Sequence, residues 1–118
     1  MTANTVASRK NKGRTLQKKV VELILKENPQ LTERDVKSTS MGCSGDDILL
    51  SEAALRKFPF SVECKNTEKI NIWQAIEQAE SRKKDSITPL VVFKRNRSDI
   101  YCTLKFEDLL RIYDLITE

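Results

Sequence analysis

From Thr15 to Asn28 the apolar residues Leu16, Val20, Leu23 and Ile24 recur at i, i+4, i+7 and i+8, the period of an amphipathic helix, and Pro29 ends it. Val36 to Met41 is β-branched or hydroxylated and lacks that period, which predicts a short strand. Gly42-Cys43-Ser44-Gly45 reads as a turn and Asp47 to Ser51 as a second strand. Ser51 can cap a helical turn over Glu52 to Leu55, and Pro59 then admits a third strand, Phe60 to Lys65. Asn71 can cap the next helix, where Ile72, Ala75, Ile76 and Ala79 give the i, i+3, i+4, i+7 stripe. Leu90 to Phe93 is a short apolar run suited to a buried strand. A turn over Arg95 to Asp99 leads to a fifth strand, Ile100 to Leu104, and a last amphipathic helix spans Phe106 to Ile116. The order α-β-β-β-α-β-β-α predicts a mixed β-sheet flanked by helices, an α/β or α+β domain.

At 118 residues and 39% apolar the chain suits one domain with one core. No apolar run approaches a membrane span, and the polar, basic start lacks the apolar stretch of a secretory signal, so a cytoplasmic protein is expected. Cys43, Cys64 and Cys102 are an odd, sparse set that fits a reducing compartment and a packing role. There is no histidine, which excludes Ser-His-Asp triads, Cys-His nucleophiles, HExxH zinc sites and Cys/His fingers together. Chemistry must then run on carboxylates, lysine and a hard cation.

The net charge of +4 is unevenly placed: residues 1–20 carry six cations and no acid, whereas the rest of the chain is slightly acidic. Residues 1–12 read as a flexible basic arm ahead of a single domain, 13–118. Arg9, Lys10, Lys12, Arg14 and Lys18 suit contact with a phosphate backbone, although a solvated terminus fits the charge equally well. Lys94, Arg95 and Arg97 form a second basic cluster, separate from the first.

The stretch from Gly45 to Asn66 carries the candidate chemistry. Strand alternation places Glu63 and Lys65 on one face, with Val62 and Cys64 on the other. An acid and an amine side by side on an inner strand are costly to bury unless paired or bound to something. Asp47 opens the preceding strand and can lie beside Glu63. The two carboxylates and the main-chain carbonyl of Cys64 would make an all-oxygen site suited to Mg²⁺ or Mn²⁺. Lys65 would orient water and stabilise negative charge on a phosphoryl group. The bland alternative is a cross-strand ion pair. Asp35-Val36-Lys37 repeats the relaxed motif, but with no earlier strand to supply its second acid.

This arrangement resembles the PD-(D/E)XK nuclease superfamily, and within it the archaeal-type Holliday junction resolvases and their phage-encoded relatives. The resemblance rests on residues 13–17, Val36-Lys37-Ser38, Gly45-x-Asp47-Ile48, Phe58-Pro59, Glu63-Cys64-Lys65-Asn66, residues 73–78 and residues 91–97. It implies an αβββαβ core, with Asp47 and Glu63 as metal ligands, the Cys64 carbonyl as a third, and Lys65 as the catalytic lysine. It also implies a homodimeric endodeoxyribonuclease of bacteriophage origin, acting in the host cytoplasm on four-way DNA junctions. In-line attack by water would leave 5′-phosphate and 3′-hydroxyl ends. The rivals are a nicking, repair or restriction-type member of the superfamily and a binding-only DNA module.

One position departs from the resolvase pattern: Gln17 stands where those enzymes carry a glutamate on the first helix. Stepping roughly 100° per residue from Leu16, Gln17 borders the buried stripe while Glu22 lies almost opposite, so Gln17 is the candidate neutral ligand or water-orienting group. Gln78 borders the stripe of the later helix, where several superfamily nucleases carry a glutamine; a surface polar residue is the alternative. Lys37 and Ser38 match a basic-then-serine pair near the resolvase active site and are expected to contact DNA, or else simply mark a strand edge. Trp73 is expected in the core or in a dimer interface.

Overall fold

The computed structural model describes residues 6–39 and 45–117. Nine elements follow in order: α1 (Val6–Glu27), β1 (Val36–Ser38), β2 (Ile48–Leu50), α2 (Glu52–Lys57), β3 (Phe60–Asn66), α3 (Ile72–Ser81), β4 (Thr88–Lys94), β5 (Tyr101–Thr103) and α4 (Phe106–Thr117). The expected mixture of a mixed sheet and helices is what the chain forms. The capped turn after Ser51 is a short helix, with the Ser51 hydroxyl accepting from the Ala54 N–H at 3.1 Å. Asn71 caps α3 in the same way through the Gln74 N–H. Gly45 has φ +107°, a conformation L side chains avoid, and leads the chain into β2.

β3 and β4 pair in parallel from Phe60 opposite Thr88 to Asn66 opposite Lys94, and β5 adds antiparallel to β4. β1 and β2 form a separate antiparallel pair. α1 covers one face of this sheet system, packing Leu16, Val20 and Ile24 on Val36, Ile48, Val62, Cys64, Leu90 and Val92, whereas Leu23 of the expected stripe is 40% exposed at its edge. α3 covers the other, with Ala75 and Ala79 against Val91. Their small side chains let α3 lie close to β4. No helix among the described residues is long and apolar enough to cross a membrane.

Two features differ from the sequence expectation, and a third settles what it left open. α1 begins at Val6 rather than near Thr15, so Arg9, Lys10 and Lys12 stand on a helix and not on an irregular arm. The reason is local and tertiary at once: no proline precedes Gly13, alanine, lysine and arginine favour helix, and the Asn66 side-chain amide donates to the Lys12 carbonyl at 2.9 Å. β1 spans Val36–Ser38 with Thr39 beyond it, and the rest of the expected strand to Met41, like the expected turn at Gly42 to Ser44, lies outside the described residues. α4 is amphipathic as expected; its periodicity left the direction of the apolar face open, and the structure turns that face outward. Its buried residue is Asp108, held by Arg111, while Phe106, Leu109, Leu110, Tyr113 and Ile116 are 45–74% exposed along one stripe.

Candidate active site

The β1–β2 pair meets β3 at Asp47. Its N–H donates to the Val62 carbonyl at 3.1 Å, and its own carbonyl accepts from the Thr39 N–H at 3.0 Å. With that carbonyl occupied, the side chain takes over the next bond to β3, Oδ2 accepting from the Cys64 N–H at 2.7 Å. A carboxylate therefore replaces a main-chain acceptor where two strands meet. The neighbouring Asp46 fastens the same edge, accepting from the Ser61 hydroxyl at 2.6 Å and pairing with Lys84 at 3.8 Å.

Glu63 and Lys65 share the α3-facing side of β3, as alternation requires. Glu63 is 5% exposed and its two oxygens are taken by two cations: Lys65 Nζ lies 3.4 Å from Oε2, and the Arg82 guanidinium donates to Oε1. Asp47, Glu63, Lys65 and Arg82 thus form a neutral quartet whose members feel one another. Burial holds the Asp47 carboxyl above its usual range; the Cys64 N–H opposes this, Glu63 adds to it, and Lys65 and Arg82 oppose it. Burial first, then the Asp47 and Glu63 charges, push the Cys64 thiol far up, so it stays protonated and packs as an apolar group. Cys102 is a free, exposed thiol, and Cys43 lies outside the described residues.

Arg82 escaped the sequence reading because its partner is 19 positions away and it stands at the C-cap of α3. The one available signal was its spacing of four from Gln78, which places both on one side of the helix. Gln78 is half-buried, and its Oε1 is buried without a hydrogen-bond partner. Gln17 is 3% exposed on α1, within the layer on the Cys64 side of the sheet. The second Asp-x-Lys motif has a structural assignment instead. Asp35 accepts from the Thr32 N–H at 2.9 Å and from the Ser51 hydroxyl at 2.8 Å, bracing the start of β1. Those bonds hold its carboxyl below the usual range.

The donor set suits a hard divalent cation. The Cys64 N–H points to Asp47, and in a strand the carbonyl of the same residue leaves by the same edge. Two carboxylates and a carbonyl are oxygen donors, and Mg²⁺ takes one or two carboxylates, completing its shell with water and phosphate. Gln78 Oε1, buried on α3 without a hydrogen-bond partner, is a neutral acceptor on the side of that helix that also carries Arg82. Among the described residues no three His, Cys, Asp or Glu side chains cluster, so any cation here relies on the main chain and the substrate.

The two basic patches of the sequence meet in one groove. Lys12 of α1, Lys94 at the end of β4 and Arg97 of the following turn line it together with Ser8, Asn11 and Asn66. Asn66 follows Lys65, but strand alternation turns its side chain to the α1 face, so the groove opens on the opposite side of β3 from Glu63 and Lys65. Arg97 holds φ +63°, an uncommon left-handed conformation for a side chain other than glycine. Arg9, Lys10, Arg14 and Lys18 project from exposed flanks of α1 outside the groove, and Arg95 lines a different hollow with Glu68 and Tyr101. Lys37 is exposed on β1, while Ser38 pairs with Ile48 beside Asp47. Trp73 is 73% exposed, which removes it from the core of this chain.

Searches of curated proteins and of solved structures returned no match. The sequence profile of one family, described as "Phage putative PDDEXK endonuclease", matches residues 8–117, nearly the whole chain. The chain belongs to that family of phage PD-(D/E)XK endonucleases.

Proposed function

We propose that this PD-(D/E)XK endonuclease hydrolyses phosphodiester bonds of branched DNA, foremost four-way junctions, as a homodimer dependent on Mg²⁺ or Mn²⁺, in the host cytoplasm. The observation that carries the nuclease chemistry is the Asp47–Glu63–Lys65 constellation at the meeting of β2 and β3; a groove lined by Lys12, Lys94 and Arg97 opens on the α1 side of the same sheet. Asp47, Glu63 and the Cys64 carbonyl would hold the cation, with Gln78 as a neutral water- or ligand-orienting group; Gln17 lies buried on the Cys64 face of the sheet, away from Glu63 and Lys65. When bound, the cation supplies Lewis-acid charge toward the scissile phosphate. Lys65, about one-third exposed, offers its ammonium to a phosphoryl oxygen as negative charge develops there. The groove cations, with Arg9, Lys10, Arg14, Lys18, Lys37, Ser38 and Arg95 around them, position the backbone without reading sequence.

The outward stripe of α4 supports the homodimer. Its five side chains expose on the order of 600 Å² of apolar surface, most of the roughly 800 Å² each partner contributes to a standard interface. Patches of that size mark interaction sites. A two-fold pair also supplies the two cuts that a nearly two-fold junction requires, since each subunit has one such site.

The test is cleavage of a four-way junction beside a linear duplex of the same sequence, with Mg²⁺, with chelator, and with Asp47→Asn. Paired nicks in opposing junction strands that need the cation and Asp47 are expected. Equal cleavage of the duplex would refute junction preference, and cation-independent binding without cleavage would refute the enzyme.

A further inference from the structure

We propose that Arg82 is a positioning residue that serves as a resident counter-ion for Glu63 and gives way to the divalent cation, so that it sets how much cation the site requires. This rests on the nuclease reading above and extends it to a residue outside the Asp, Glu-x-Lys pattern.

Glu63 is buried, and a buried carboxylate with no partner is costly. Lys65 answers one of its oxygens from the same strand, two residues on, and is fixed there by strand geometry. Arg82 answers the other from a different element. It stands on the C-cap of α3, with 29% of its side chain exposed, and the chain beyond it is an exposed turn over residues 83–86 in which Ser86 holds φ +66°. Of the two cations on Glu63, Arg82 is the one whose support permits withdrawal. While its guanidinium donates to Oε1, Arg82 occupies an oxygen that a metal would need. The charge count agrees: with both cations present the quartet is neutral, and adding a divalent ion beside two positive side chains is opposed by each of them. Displacing Arg82 removes the nearer obstacle and leaves Lys65 for the phosphate.

A merely structural arginine and a counter-ion differ in the sign of one measurement. Removing a structural arginine loosens Glu63 and weakens cation binding; removing a competing counter-ion tightens it. The experiment is a Mn²⁺ titration of the full-length, DNA-free protein, with free Mn²⁺ read by electron paramagnetic resonance. Wild type, Arg82→Gln, Arg82→Lys and Asp47→Asn are compared, each checked by thermal unfolding. The expected result is about tenfold tighter Mn²⁺ binding by Arg82→Gln, near wild-type binding by Arg82→Lys, and loss of binding by Asp47→Asn. The Mn²⁺ concentration for half-maximal cleavage should fall by the same factor in Arg82→Gln. Unchanged or weaker binding by Arg82→Gln, or equal tightening by Arg82→Lys, overturns the proposal and leaves the nuclease reading standing. Absence of both Mn²⁺ binding and cleavage in wild type overturns the nuclease reading, and this inference with it. Should Arg82→Gln fail to fold, modification of wild-type Arg82 by phenylglyoxal, followed by mass spectrometry, decides the matter. Mn²⁺ should accelerate it, and an unchanged or slower rate would overturn the proposal.

Discussion

Asp47 has a structural duty and a chemical one, and two substitutions separate them. Its Oδ2 accepts the Cys64 N–H at 2.7 Å, and that bond helps hold the β1–β2 pair to β3. Asp47→Ala removes the acceptor and leaves an N–H of β3 unpaired, which costs about 2 kcal/mol. For a domain of this size that is a fall of roughly 6–12 °C in Tm. Asp47→Asn keeps an acceptor oxygen in the same place. It also removes a charge that burial disfavours, since the Asp47 carboxyl sits above its ordinary value of 3.8. The sign follows from proton binding. Between the ordinary and the raised value the folded protein holds a proton that the unfolded chain has lost, so this group's contribution to stability falls as pH rises through that window. Asp47→Asn should therefore match wild type in Tm near pH 3.5 and equal or exceed it at pH 7, while losing cleavage. Thermal unfolding by circular dichroism across pH, with junction cleavage at pH 7, makes the comparison. A wild type that gains stability over Asp47→Asn as pH rises would refute the assigned cause. A common, large loss in both variants at pH 7 would refute the separation of roles.

Lys65→Ala and Glu63→Gln should each lower single-turnover cleavage by about 10²-fold or more while gel-shift affinity for a junction changes little, because the phosphate contacts lie elsewhere; near wild-type rates would remove both from the site. Replacing Lys12, Lys94 and Arg97 together by alanine should lower the slope of log affinity against log salt by up to about 2.7 on duplex DNA. An unchanged slope would mean the groove is not the DNA path. Leu110→Asp places a charge in the middle of the α4 stripe and should shift sedimentation equilibrium at micromolar concentration from dimer to monomer; a dimer that persists would place the interface elsewhere.

The sequence by itself determined the features that depend on a few neighbouring residues. The period of Leu16, Val20 and Ile24, the caps at Ser51 and Asn71, and the alternation that puts Glu63 and Lys65 on one face are local, and each stands where its spacing implied. The absence of histidine restricted the chemistry before any fold was known. Tertiary structure alone decided matters that join distant residues. Asp35 and Asp47 are both aspartates beside a short strand. One is taken up by Thr32 and Ser51, and the other is brought to the Cys64 N–H and the charges of Glu63, Lys65 and Arg82. Arg82 meets Glu63 only because α3 packs on β3 and β4 through small alanines. Lys12 meets Lys94 and Arg97 only because Asn66 ties α1 to the end of β3. The α4 pattern specified an amphipathic helix but not its direction. Periodicity records that a helix has an apolar face; only the rest of the fold decides whether that face turns inward, and here Asp108 and Arg111 hold the polar side against Thr88, leaving the apolar side outside.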